Sequence, residues 1–443
     1  MGNSDWITNF GGDWNLLPFA YEVSVNKKVA ILIFLVAFLV GCQDAEFQKT
    51  PTPYQLIANP TAEVESADTA MLTVTTTPMN DGVMGVDNLK SSCLEIVPMK
   101  NEGLTKNGNL VLYDRNKQEF YKYIVSSGSK SVILGVNPNF VSVSPDRKWL
   151  AYITGPYLNQ RLHVQPSNDI DSFSIDLNTI EKWLTMDRWI ANDKIVFAKH
   201  DNSDNIRQPR SLIVLNPFSG EKEERPPNFP DIYDNDSWEW GNSGRTLYSL
   251  DFRYVVYFSA GKNFGYTLWD IENEKSITSI ETLNPRIAPQ WMVGRKAFIA
   301  QVLNEFYFAD IDGRSGKLTD FGNLFSGKDI EIRTWSQSPD SRYIAFFMSF
   351  KSSQQVLEDR LMVLDTETSK VTDYCISGDT LRVASTDVIS YSPAPIWSPD
   401  GKALLIESRI ELDKSQLILV DFVQKTATQI MENTAPFGWM LLP

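Results

Sequence analysis

One short phrase recurs along this chain and limits its fold more than any other feature. It consists of an aromatic residue, a tight turn and an apolar strand, and its clearest copy is Trp397-Ser398-Pro399-Asp400-Gly401 followed by residues 403–406. Ser338-Pro339-Asp340 and Ser144-Pro145-Asp146 begin two further copies. In such turns Pro presets φ, Asp bonds to the backbone that follows, and Gly supplies a positive φ. Repeats spaced by tens of residues predict a repeat architecture.

The residue that precedes each turn, here called the turn position, recurs seven times. The turn positions are Val143, Trp189, Trp240, Trp291, Gln337, Trp397 and Trp439. Their spacing of roughly 40 to 60 residues matches the blades of a β-propeller. Apolar strands that end in Asp or Asn also recur, at residues 110–114, 173–176, 212–216, 266–270, 306–310, 361–365 and 417–421. Twelve Trp, 16 Tyr and 24 Phe likewise favour β structure.

The two series are out of phase, and the offset predicts how the ring closes. The first Asp-ended strand precedes the first turn position, and the last turn position follows the last such strand. A ring keeps an open sheet edge at its seam unless both chain ends share one blade. We therefore predict an all-β β-propeller over residues 89–443, with seven blades and with six as the alternative. Residues 436–441 form the innermost strand of the seam blade, and the outer three come from residues 93–97, 110–114 and 120–125.

The N-terminal segment has the features of a secretory signal. Lys27-Lys28 precedes a short apolar run at residues 29–40, and the small residue Gly41 follows. A basic region, a short apolar region and a small residue at the cleavage site are typical of signal peptides. The ending Leu39-Val40-Gly41-Cys42 resembles the lipobox of bacterial lipoproteins. This resemblance implies cleavage before Cys42, acyl chains on Cys42 and a signal peptide at residues 1–41.

Residues 42–88 are predicted to be a tether between the membrane and the propeller. Their Pro and Thr residues recur without hydrophobic periodicity, as in an extended, semi-rigid linker. The expected location is the extracytoplasmic face of a bacterial membrane in the cell envelope, with the acyl chains on Cys42 as the membrane partner. Residues 1–26 are long for the start of a signal peptide, and a start near Val25 is the alternative.

Charge and composition narrow the classes of ligand. The formal net charge of −14 argues against a nucleic-acid partner, which needs clustered Lys and Arg. Only two histidines are present, and the three cysteines are far apart in the sequence, so we expect neither a metal nor another cofactor. The blade assignments separate Cys93 from Cys375 by one blade. We therefore expect no disulfide between them, and a bridge would count against the seven-blade closure.

The Trp-Ser-Pro-Asp-Gly phrase with its Asp-ended strand resembles the WD40-like repeats of TolB-type β-propellers. Related blades occur in the propellers of prolyl-oligopeptidase-like enzymes. The resemblance covers about residues 90–443 and is literal in three blades. The chain departs from TolB proteins in having a Thr/Pro-rich spacer where they have an α/β domain. It departs from the peptidases in having no G-x-S-x-G motif.

Candidate binding residues fall in unrepeated segments between the strands. The Ser-Pro-Asp turns are short and should share one face of the ring, here called the turn face. The longer segments should collect on the opposite face, here called the loop face, where binding residues usually lie on such scaffolds. The candidates on the loop face are Arg161, His163, His200, Arg207, Asp231, Tyr233, Asp234, Asp236, Arg253 and Lys351. No residue is assigned a catalytic or metal-binding role.

The sequence favours a non-catalytic binding module for a protein or an envelope glycan. The first alternative is a propeller glycosidase or lyase that uses carboxylates at the central funnel, since glycosidases need two carboxylates at a defined separation. The second alternative is a passive envelope scaffold. Facing carboxylates at the opening would favour the enzyme, whereas an apolar patch would favour protein binding.

Overall fold

The computed structural model describes most of the chain after residue 88. The described residues are 89–99, 108–134, 140–155, 159–167, 172–180, 184–199, 211–225, 247–249, 251–259, 265–282, 289–292, 294–352, 355–378, 394–411 and 414–441. Among them lie thirty strands and two four-residue helices, so the fold is all-β. None of the described helices has the length and apolar content needed to cross a membrane.

The strands follow one another in groups along the chain. The first group is β1 (Leu89–Ser91), β2 (Ile96–Pro98), β3 (Asn109–Asp114), β4 (Glu119–Ile124) and β5 (Ser129–Leu134). Blade one contains β6 (Phe140–Val143), β7 (Trp149–Thr154), β8 (Arg161–Pro166) and β9 (Phe173–Asp176), with helix α1 (Leu177–Ile180) after it. Blade two contains β10 (Leu184–Ala191), β11 (Lys194–Lys199), β12 (Ser211–Leu215) and β13 (Lys222–Arg225).

Three further blades follow the same plan. Blade three contains β14 (Leu247–Tyr248), β15 (Tyr254–Ser259), β16 (Gly265–Asp270) and β17 (Lys275–Glu281). Blade four contains β18 (Gln290–Trp291), β19 (Ala297–Val302), β20 (Glu305–Asp310) and β21 (Ser315–Lys317), with helix α2 (Phe321–Leu324) after it. Blade five contains β22 (Asp329–Gln337), β23 (Tyr343–Ser352), β24 (Gln355–Asp365) and β25 (Lys370–Ser377).

The last strands complete blade six and close the ring. Blade six contains β26 (Ile396–Trp397), β27 (Ala403–Glu411), β28 (Lys414–Asp421) and β29 (Thr426–Glu432), and β30 (Thr434–Met440) ends the described chain. The seam blade has the order β30-β3-β4-β5, so it joins the two ends of the described chain. The molecule is therefore a seven-bladed β-propeller, and the prediction of an innermost seam strand near residues 436–441 is confirmed.

Apolar layers between neighbouring blades form the core, because each strand buries one set of side chains against the next sheet. One such layer joins blades four and five through Phe306, Phe321, Trp335 and Phe346. Indole groups add hydrogen bonds across the same interfaces. Trp189 Nε1 in blade two donates to Ser142 O in blade one at 3.2 Å, and Trp397 Nε1 in blade six donates to Ser336 O in blade five at 3.2 Å.

The segment Leu89–Met99, here called the strap, differs from its prediction. β1 pairs in parallel with β25 of blade five, and β2 pairs in parallel with β29 of blade six. The predicted seam strand at residues 93–97 is therefore wrong, and β5 is the outermost strand of the seam blade. The strap also brings Cys93 to Cys375, and the two form a disulfide with their Cα atoms 4.8 Å apart.

The disulfide corrects a second expectation. The sequence predicts Cys93 in the seam blade and no bridge to blade five, but the strap runs along the outside of blades five and six instead. The bridge is compatible with seven blades because the strap adds fifth strands to two finished sheets and leaves the seam to β30 and β3. The inference that a bridge would count against seven blades was wrong for the same reason.

Three assignments within blades also change. In blade three the strand before the turn is β14, so the turn position is Tyr248; Trp240 lies outside the described residues. Residues 173–176 form the fourth strand of blade one, and residues 110–114 form the second strand of the seam blade. The other five of these predicted strands are each the third strand of their blade, as the repeat predicts.

Candidate functional site

A cleft opens between the seam blade and blade one, here called the seam cleft. It has a volume of about 340 Å³. Its walls come from the outer strand β5 on one side and from β7, β8 and β9 on the other. The lining residues are Val132, Ile133, Tyr152, His163, Val164, Gln165, Ser172, Phe173 and Ser174. Strand register explains this grouping, because Tyr152 is opposite His163 and His163 is opposite Ser174 on neighbouring strands.

His163 is held firmly at the cleft. Its ring stacks on the Tyr152 ring with centroids 4.8 Å apart and an angle of 6° between the planes. Nε2 lies 2.8 Å from Thr154 Oγ1, at hydrogen-bond distance. Burial lowers the pKa of His163 from its usual value, and the nearby positive charge of Arg161 lowers it further. These contacts favour a neutral imidazole that can donate one hydrogen bond and accept another.

Arg161 contacts one of the residues that line the same cleft. Its side chain is exposed, and Nη2 donates to Ser174 Oγ at 3.1 Å. The sequence placed Arg161 and His163 in one long loop, but both belong to strand β8. A strand holds the two side chains more rigidly than a loop would, so the structure brings these two candidates together on a fixed wall.

A row of aromatic rings leads from the cleft toward the centre of the ring. Phe120 meets Tyr152 edge to face at 5.6 Å, and Phe437 meets Phe120 at 5.9 Å. Phe437 lies on the innermost strand β30 and keeps 36% of its surface exposed. The seam is therefore packed by aromatic contacts from the innermost strand outward, and the seam cleft lies at the end of that row.

The remaining candidates are distributed differently. Arg253 lies in the turn between β14 and β15, on the turn face, so its assignment to the loop face was wrong. There Arg253 Nη2 lies 3.7 Å from Asp270 Oδ2. Lys351 is on the loop face near the end of β23 and forms an ion pair with Glu331. The other candidates lie outside the described residues: His200, Arg207, Asp231, Tyr233, Asp234 and Asp236.

Buried charges that the sequence did not single out lie in blade five. Arg333 Nη1 is 3.7 Å from Asp359 Oδ2, and both side chains are almost fully buried. Ser349 Oγ donates to the other Asp359 oxygen at 3.0 Å. Gly378 leaves room for this carboxylate, because a Cβ there would lie 2.6 Å from Asp359 Oδ2. These residues are separated widely in the sequence, and only the strand register of blade five brings them together.

The buried carboxylates are engaged in pairing within the ring. Glu407, 1% exposed, accepts a hydrogen bond from Arg115 Nη2 at 2.8 Å between blade six and the seam blade. Buried charges of this kind are retained when a cation and hydrogen bonds compensate for lost water. Among the described residues no group of three or more His, Cys, Asp or Glu side chains is arranged to hold a metal ion.

Comparisons with known proteins relate the chain by its fold. No protein-family model matches the sequence, and no curated protein matches it significantly. Among solved structures, TolB from Acinetobacter baumannii is similar with a TM-score of 0.39 and 14% identity over 72% of this chain and 79% of that chain. An oligogalacturonate lyase in complex with manganese has a TM-score of 0.45 and 11% identity over 74% and 86% of the two chains.

A prolyl endopeptidase structure is also similar, with a TM-score of 0.45 and 10% identity. The match covers 76% of this chain and 51% of that chain. At these identities the similarity concerns the propeller alone, and the chemistry of the site has to be argued from the residues of this chain.

Proposed function

We propose that this protein is a lipid-anchored β-propeller on the extracytoplasmic side of a bacterial membrane and that it acts as a non-catalytic binding module for a protein. The seam cleft is the proposed binding site. A rigid ring with a preformed cleft is suited to binding, because little backbone entropy is lost when a ligand is bound.

The lining of the seam cleft carries this proposal. It contains His, Gln and Ser side chains beside Val, Ile, Tyr and Phe, and none of the lining residues that the structure describes is a carboxylate. A glycosidase needs a pair of Asp or Glu residues at a defined separation. The cleft is therefore better suited to hydrogen bonding and apolar contact than to glycoside hydrolysis, which supports the binding role over the enzymatic alternative.

The apolar groups favour a protein over a glycan. Val132 is 59% exposed at the cleft, as expected for a surface that meets an apolar partner. The Tyr152 ring is 7% exposed and is stacked by His163, so its face is not open for a sugar to pack on. An accessible valine side chain and a tyrosine ring whose face is covered are therefore better suited to contact the side chains of a partner protein than to contact a sugar.

The disulfide supports the proposed compartment. Cys93 and Cys375 are paired, and disulfides persist in oxidising extracytoplasmic environments. Cys42 lies outside the described residues and remains the proposed lipidation site. Replacing Cys42 by Ser should release the protein from membranes and abolish acyl labelling. If the Cys42→Ser protein still fractionates with membranes, residues 29–40 are themselves the anchor.

The binding role is tested by filling the cleft. Ser172→Trp places a bulky side chain in the cleft lining, and Ser276→Trp on β17 makes the same change at an exposed position outside it. Residues 43–443 of each variant would be used to capture proteins and glycans from solubilised envelope. We expect a partner that the wild type and the Ser276 variant retain and that the Ser172 variant loses. Equal recovery by all three, or recovery of no partner, would contradict the proposal.

A further inference from the structure

The disulfide on the outside of the ring is open to solvent. Cys93 lies on the strap and is exposed, and its partner Cys375 on β25 is half-buried. A disulfide is exchanged only when a thiolate can reach one of its sulfurs, so access decides which disulfides react and at which end. Because Cys93 is the more exposed of the two residues, an attacking thiolate reaches Cys93 Sγ first.

The backbone at Cys375 is strained. Its φ is 56°, in the left-handed region that residues other than glycine rarely adopt. Nine other described residues besides the glycines have a positive φ, and all nine lie in turns or bends between strands, where this conformation is common. Cys375 differs from them because it lies inside a strand. Strain of this kind persists only where the surroundings impose it, and it is concentrated at functional sites and switch regions.

Asp373 holds the strained residue in place. Its Oδ1 accepts the backbone N–H of Cys375 at 2.7 Å, and its Oδ2 accepts from Arg360 Nη1 at 2.9 Å. The pairing of β25 with β24 shifts register between Arg360 and Met362, so Cys375 lies in a bulge and its amide bonds to a side chain. The carbonyl of Asp373 also accepts from Ser92 N of the strap at 2.8 Å. The bulge therefore presents Cys375 to the strap.

Ser91 places a hydroxyl beside both sulfurs. Its Oγ lies 3.4 Å from Cys93 Sγ and 3.8 Å from Cys375 Sγ. A sulfur in a disulfide carries no proton, so the serine hydroxyl is the donor in both contacts. When the S–S bond breaks, one sulfur leaves as a thiolate, and a hydrogen bond to that thiolate stabilises it and speeds its departure. Ser91 is therefore placed to assist the leaving sulfur.

Short strands and a few side chains hold the strap to the ring beside this bond. β1 and β2 pair over three residues each with β25 and β29. Leu94 and Ile96 are partly buried against the core between blades five and six, and Met99 is partly buried against the core between blade six and the seam blade. Segments with few buried apolar contacts open locally at a low free energy. Loss of the bond would therefore let the strap open and uncover the outer edges of β25 and β29.

We propose that the Cys93–Cys375 bond is an exchange site for a dithiol reductant, with Ser91 as donor to the leaving thiolate, and that its reduction releases the strap from blades five and six. A thiolate of the reductant attacks Cys93 Sγ and forms a mixed disulfide, and the electron pair of the broken S–S bond goes to Cys375 Sγ, which takes up a proton. The second thiol of the reductant then displaces Cys93, which is protonated in turn. Two electrons and two protons pass to the protein, and the reductant becomes a disulfide.

The direction of attack is tested by mapping each cysteine of the full chain. Native protein is treated briefly with reduced glutathione, whose single thiol forms the mixed disulfide, and free thiols are then trapped with N-ethylmaleimide. We expect glutathione on Cys93 and maleimide on Cys375, whereas protein unfolded in urea should carry glutathione on either cysteine. Glutathione mainly on Cys375 in the native protein, or a bond that resists glutathione until urea unfolds the ring, would overturn the inference.

The role of Ser91 is tested by the rate of reduction with dithiothreitol. Ser91→Ala should slow reduction by about threefold or more, because the leaving thiolate loses its hydrogen bond. Ser91→Thr keeps a hydroxyl and should restore the rate. Ser92→Ala is the matched control, since it removes the neighbouring hydroxyl and keeps the backbone bond to Asp373 O. Equal rates for wild type and the Ser91→Ala variant would refute the assistance by Ser91.

Release of the strap is measured by hydrogen exchange before and after reduction with dithiothreitol. The amides of β1 and β2 should exchange faster in the reduced protein, because the covalent link to blade five is lost, while the amides of β3 and β28 should keep their protection. Strap amides that stay as protected in the reduced protein as in the oxidised protein would contradict the release.

Discussion

At the scale of single residues, the recurring turn is defined by a serine and an aspartate two positions later. Ser144, Ser338 and Ser398 donate from Oγ to Asp146, Asp340 and Asp400, and each also accepts the backbone N–H that starts the next strand. Ser249 and Asp251 do the same in blade three without a proline between them. The Ser-Pro-Asp pattern does not include this fourth copy, because the turn depends on the hydrogen bonds and not on the proline.

The indole hydrogen bonds between blades give a prediction at this scale. Trp397→Phe removes the indole N–H that donates to Ser336 O, which should lower the free energy of unfolding by about 0.5–1.5 kcal/mol. Trp335→Phe is the matched control, because Trp335 is equally buried and its Nε1 has no hydrogen-bond partner among the described residues. Urea denaturation of both variants measures the difference. Equal losses would show that the indole bond contributes nothing beyond packing.

At the scale of strands, the repeating elements were predictable and the strap was not. From blade two to blade six each third strand ends in Asp or, in blade two, is followed directly by Asn216, so the repeat locates these strands from sequence alone. β1 and β2 are three residues each, largely exposed, and pair with strands more than 270 residues away in sequence. Short strands without alternation give no hydrophobic pattern, so nothing local distinguishes them from a loop.

The same limit applies to the proposed binding site. Val132 and Ser174 line one cleft, yet no motif joins them, because the cleft arises where the seam blade packs against blade one. Arg161 and His163 were found among the candidates, although the sequence placed them in a loop and not on β8. Arg253 was misplaced because the turn of blade three lacks the proline of the phrase and was assigned one strand too early.

The strap provides a prediction at the element scale. The disulfide closes a loop with a sequence separation of 282 residues, so its removal should cost about 2–5 kcal/mol. Cys93→Ser/Cys375→Ser should lower the denaturation midpoint and speed hydrogen exchange in β1 and β2, while the other blades keep their protection. Ser92→Ala, which leaves the disulfide in place, is the control. An unchanged midpoint together with unchanged strap exchange would show that strand pairing alone fixes the strap.

At the scale of the whole molecule, closure of the seam organises both stability and the proposed binding surface. β30 pairs with β3, and the register runs from Asn109 opposite Met440 to Asp114 opposite Thr434. Because one blade is built from both chain ends, the first and sixth blades each face a complete neighbour. The same closure leaves β5 outermost and places the seam cleft beside it.

Calorimetry of a C-terminal truncation tests this closure most directly. Deleting residues 434–443 removes the innermost strand of the seam blade, whereas deleting residues 442–443 leaves β30 complete and serves as the control. We predict that the longer deletion abolishes the cooperative unfolding transition, that an added peptide of residues 434–443 restores it in part, and that the control unfolds like wild type. A longer deletion that unfolds cooperatively at the wild-type temperature would contradict a ring closed by β30 and β3.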